Sequence, residues 1–128
     1  MRDAAAIAAA LALAVSGCAT LESVFGPGPA SVRDGVLVGA KDMTLYTFER
    51  DVTGSGRSVC VGKCALLWPP FAAPADAVAR GDWTLVTRGK AAKQWAYKGK
   101  PLYYWSKDRK PGDRTGDNAS RLWHTAKP

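Results

Sequence analysis

Apolar and polar positions alternate along this chain in short stretches, none long enough for a helix of several turns. Gly35-Val36-Leu37-Val38 is an apolar, β-branched run, a turn follows at Gly39-Ala40-Lys41-Asp42, and Met43 to Phe48 resumes as a strand. Lys93 to Tyr97 reads as a strand, Lys98-Gly99-Lys100 as a tight turn and Pro101 to Trp105 as its partner. Trp83 to Thr87 and Arg121 to Thr125 are further strands of the same kind. A period of two puts Tyr46 with Phe48, and Tyr103 with Trp105, on one face, and turns Leu45 and Leu102 to the other. Helix signals are confined to single turns. Cys64 to Leu67 is stopped by Trp68-Pro69-Pro70, because proline lacks a backbone donor and clashes with the preceding turn, and Ala75 to Ala79 offers one more.

The pattern is written twice. Leu45-Tyr46-Thr47-Phe48-Glu49-Arg50-Asp51 returns as Leu102-Tyr103-Tyr104-Trp105-Ser106-Lys107-Asp108, and a tryptophan follows each copy, Trp68 and Trp123. A repeat this close in a chain of 128 residues predicts one small all-β domain of two pseudo-symmetric β repeats, with short helical turns only.

The N-terminal segment sets the compartment. Met1-Arg2 is followed by an unbroken apolar run from Ala4 to Val15, too short to span a bilayer core of about 30 Å. Val15-Ser16-Gly17-Cys18 then resembles a bacterial lipobox, in which cleavage precedes a cysteine that carries a diacylglycerol. The plainer reading is an ordinary signal peptide with Cys18 left as a spare thiol. Each buried acyl methylene contributes about 0.8 kcal/mol, so two or three chains make a lasting anchor. The expected organisation is a signal peptide at 1–17, a lipidated tether with Gly26-Pro27-Gly28-Pro29 at 18–33, and the repeat domain at 34–128. Ala19 is not the aspartate associated with inner-membrane retention, which points to the periplasmic face of an outer membrane in a diderm source.

Charge and cysteines fit that compartment. The net charge is +7, with Lys and Arg scattered and no run of four, as on a solvated basic face. An exported protein rarely meets nucleic acid, so the expected partners are the membrane, through the anchor, and an anionic cell-envelope polymer or a protein; the domain is expected to be a monomer. Of three cysteines, Cys18 is assigned to lipid, leaving Cys60 and Cys64 as a pair that an oxidising compartment would join.

At this point the residues resemble a known family. Tyr46 to Asp51 with Cys60 to Pro70, and Tyr103 to Asp108 with Pro111-Gly112-Asp113 and Leu122-Trp123-His124, look like the bacterial lipoproteins described by a Y-x-(F/W/Y)-x-x-D motif, a secreted repeat. The likeness runs from about Gly35 to Pro128. It implies an exported or lipid-anchored repeat protein and supplies no reaction.

Tyr46, Phe48, Tyr103 and Trp105 are expected to fill the core, with Asp51 and Asp108 capping the loops near Thr53-Gly54 and Lys110-Pro111-Gly112. Their functional reading is a pair of binding sites related by the pseudo-twofold. Cys60 and Cys64, with His124 and Met43, support an alternative redox or metal-handling role, but the spacing is not C-x-x-C and a metal needs more ligands. Asp108, Asp113, Asp117 and Asn118 lack calcium-loop spacing and sit among basic residues. No cofactor, metal or hydrolytic triad is expected. Five tryptophans and four tyrosines are many for so small a core. Trp95 and Tyr97, beside Lys93, Lys98 and Lys100, are the candidate polymer-binding aromatics. The function expected is thus a non-enzymatic envelope binding or structural module.

Overall fold

Asp34 and Gly35, both at positive φ, close the first hairpin of the computed structural model, the turn geometry that suits the twist of paired strands. Residues 28–128 are described; the expected signal peptide, Cys18 and the expected tether up to residue 27 lie outside them. The hairpin joins β1 (Ser31–Arg33) to β2 (Val36–Val38), so paired structure begins inside the segment assigned to the tether. Its first strand is exposed throughout and has no apolar alternation to announce it.

Next come β3 (Tyr46–Phe48), the short helix α1 (Lys63–Leu67), β4 (Ala72–Ala73), β5 (Trp83–Arg88), β6 (Ala92–Tyr97), β7 (Lys100–Pro101) and β8 (Trp123–Thr125). β6 is the centre of a four-stranded sheet, with β5 and β4 beside it and β7 returning along it. β3 pairs antiparallel with β8, which joins the first repeat to the end of the second. This differs from the expected hairpins. Met43 to Phe48 stays beside β2 only through the Val38–Thr44 bridge and neighbouring backbone bonds, then leaves for β8. Pro101 to Trp105 follows β6 only as far as Leu102 before turning across the molecule.

The reason lies at the pseudo-twofold axis. Tyr46 N–H donates to the Tyr103 carbonyl at 2.7 Å and Tyr103 N–H to the Tyr46 carbonyl at 3.0 Å. The symmetry continues outward. Phe71 N–H bonds the Leu102 carbonyl as Ala126 N–H bonds that of Leu45, and Ser106 N–H bonds Leu67 as Glu49 N–H bonds Leu122. Each motif strand therefore completes its ladder with residues from the other repeat.

Alternation then sorts the core into two layers. Leu37, Leu45, Phe71, Leu102 and Ala126 form one, and Tyr46, Cys60, Trp68, Tyr103 and Trp123 the other. In the second layer four rings stack in the order Phe48, Trp123, Trp68, Trp105, with centroids 4.1, 3.8 and 4.0 Å apart. The repeats contribute alternately, and each such pair adds about 0.5–1.5 kcal/mol beyond its buried area. Gly116 is glycine because a Cβ there would come 2.8 Å from Trp68 and 2.9 Å from Trp105.

The Cys60–Cys64 disulfide is present, linking the buried Cys60 to α1. Closing so short a loop removes little unfolded-chain entropy, worth about 2 kcal/mol. The disulfide also holds the Cys60 carbonyl where Arg88 Nη2 reaches it at 2.6 Å, tying the loop to the four-stranded sheet.

Candidate functional site

The Tyr and Asp of the doubled motif meet across repeats. Tyr46 OH donates to Asp108 Oδ2 at 2.7 Å and accepts from Gly116 N–H at 3.2 Å. Tyr103 OH donates to Asp51 Oδ2 and is met by Ser58 Oγ. Both phenols are fully buried, and burial, followed by the bond to a carboxylate, raises their pKa above the ordinary 10.0. Burial also pushes up the phenol of Tyr104.

The second carboxylate oxygens hold the following loops, but not at the expected places. Asp51 Oδ1 accepts from Val59 N–H at 2.7 Å, and Asp108 Oδ1 from Thr115 N–H at 3.0 Å and Thr115 Oγ1 at 2.6 Å. The expected donors near Thr53-Gly54 and Lys110-Gly112 are used otherwise. Gly54 N–H bonds the Gly99 carbonyl, and the turn after Arg109 is capped by Asp113, which accepts from Arg109 and Lys110 N–H. The Arg109 bond leads in holding the Asp113 carboxyl below its usual range. The two motif aspartates are drawn inward by the phenols, so each loop runs further before returning to them.

The other polar candidates are dispersed. Asp117 Oδ1 accepts from Thr125 N–H at 3.0 Å, and His124, half-exposed beside the buried Trp123, pairs with Glu49. Among the described residues no three His, Cys, Asp or Glu side chains converge as a metal-holding group.

Trp95 and Tyr97 do come together, with a third ring that the sequence reading placed on a strand without assigning it a role. In the β5–β6 register Trp83 lies opposite Tyr97, and Leu85 opposite Trp95. Trp83 meets Tyr97 at 4.7 Å and Trp95 edge to face at 6.1 Å. These half-buried rings floor a groove of about 620 Å³, rimmed by Asp76, Arg80 and Asp82. Gly28 and Pro29, from the segment expected to be a tether, line the same groove. Pairing Trp83–Thr87 against Lys93–Tyr97 would have found Trp83 from the sequence. Lys98 Nζ stands 5.3 Å from the Tyr97 ring centroid, whereas Lys93 Nζ turns to the Ala77 carbonyl.

Fold and site together define a duplicated all-β domain whose repeats are locked by crossed Tyr–Asp pairs and which carries a surface aromatic groove. Residues 29–72 and 84–127 match the model of a family described as a secreted repeat of unknown function. The two matches cover more than half of the chain, and the chain belongs to that family. No curated protein and no solved structure matches it.

Proposed function

We propose that this secreted repeat is a lipid-anchored, non-enzymatic module that holds a cell-envelope glycan in the groove of Trp83, Trp95 and Tyr97. The observation supporting this is three aromatic rings gathered on one groove yet left half-exposed, with carboxylates and an arginine at the rim. A sugar ring presents an apolar C–H face that packs on an aromatic ring, while its hydroxyls suit flanking polar groups. The anchor rests on Val15-Ser16-Gly17-Cys18, and Gly28-Pro29 brings the tether to the groove's edge.

Cell fractionation and glycan retention test the reading together. Cys18→Ser should release the protein from the membrane fraction. Trp95→Ala with Tyr97→Ala should lower retention on insoluble envelope glycan at least tenfold, with the far-ultraviolet circular dichroism unchanged. Full retention by that double variant, correctly folded, would refute the glycan reading.

A further inference from the structure

The two halves match closely in backbone bonding but fill one equivalent space very differently. Leu45 N–H bonds the Leu37 carbonyl as Leu102 N–H bonds that of Trp95, which makes Gly39 the counterpart of Tyr97. By the same matching, Tyr104 corresponds to Thr47 and Phe71 to Ala126. In one half the large members fill the space. Tyr104 and Phe71 meet edge to face at 5.8 Å, and a Cβ on Gly39 would come 2.5 Å from the Tyr104 hydroxyl and 3.1 Å from Phe71. Tyr104 OH also accepts from Ala40 N–H at 2.9 Å, closing that side.

In the other half the small members, Thr47 and Ala126, leave the space open. A groove of about 490 Å³ stands there, walled by Tyr97 and bordered by Lys98, Lys100, His124 and Lys127. The charges follow the opening: the three lysines stand where the closed half has Ala40, Met43 and Ala72. Among the described residues no carboxylate forms an ion pair with any of them. Lys98 Nζ lies near the Tyr97 ring and Lys127 Nζ donates to Thr125 Oγ1 at 3.1 Å. Glu49, in the adjoining recess, is paired with His124.

Resting on the glycan reading above, we infer that this groove is a subsite for the carboxylate or phosphate substituents of an acidic glycan. Tyr97 is shared by the two grooves, so sugar rings on the aromatic side have their acidic groups delivered to the lysines on the other. Ammonium groups around a concave surface, none of them ion-paired with a carboxylate, focus positive potential into it. Lysines act as mobile point charges, which suits a repeating anion better than one fixed bidentate partner.

Polygalacturonate and its uncharged methyl ester test this on the full chain. The wild type should hold the acid at least tenfold more tightly than the ester at low salt, and lose that margin as salt rises. Lys98→Gln, Lys100→Gln and Lys127→Gln together should bind both forms equally, with affinity for the ester unchanged. A triple variant that keeps the tenfold margin overturns the subsite and leaves the glycan reading intact. Trp83→Ala that holds the ester like wild type counts against the aromatic groove, while the lysine variant still decides the subsite. A wild type that holds neither polymer overturns both. A glycerol-phosphate polymer compared with polygalacturonate assigns the anion: the tighter of the two names it.

Discussion

Each motif tyrosine is the buried donor for a carboxylate from the other repeat. Removing a hydroxyl strands that oxygen in a setting where Asp51 and Asp108 are 8% and 9% exposed. Tyr103→Phe should therefore cost about 1–3 kcal/mol, the penalty for an unsatisfied buried polar group, and Tyr46→Phe a similar amount. Urea unfolding midpoints measure this, and unchanged midpoints would contradict the crossed pairing. The same groups set the alkaline limit. Below about pH 10 folded and unfolded chains both keep the phenolic protons, and stability is complete. Above it the unfolded chain releases them while the fold retains those of Tyr46, Tyr103 and Tyr104, so stability falls as pH rises. Tyr46 and Tyr103 should thus gain phenolate absorbance only as circular dichroism reports unfolding; their ionisation in the intact fold would contradict this.

At the level of elements, the sequence was legible where side chains alternate. The strands at Val36–Val38, Trp83–Arg88 and Ala92–Tyr97, and the single turn before Trp68, fall where pattern and proline put them, whereas the last strand begins only at Trp123 because Ala119–Arg121 forms a 3-10 turn. β1 was not legible, because three exposed residues paired through backbone alone leave no hydrophobic signature. Nor were the ends of the motif strands, whose partners come from distant sequence rather than from the adjacent turn. The aspartate caps went astray for a related reason. Local turn chemistry names the nearest donors, and a buried phenol from the other repeat outweighed them. Of the candidate site, Trp95 and Tyr97 were readable as exposed-prone aromatics, whereas the basic groove depends on small residues at Thr47 and Ala126 whose meaning appears only beside Tyr104 and Phe71.

For the molecule as a whole, duplication was written in the chain but the crossing of its copies was not. A repeat states which residues are equivalent; it does not say whether partners close within one copy or between two. Here β3 takes β8, and the stacked rings alternate between halves. Neither half can bury its aromatic face alone, so fragments 28–79 and 80–128 should each lack near-ultraviolet circular dichroism and regain it on mixing. A fragment with native-like signal by itself would show the halves to be independent. The crossing also bears on traffic. Ala126 accepts from Leu37 and donates to Leu45, so the opening segments wait for residues almost last in the chain. A polypeptide threaded N-terminus first through a secretion pore cannot set hard before its tail arrives.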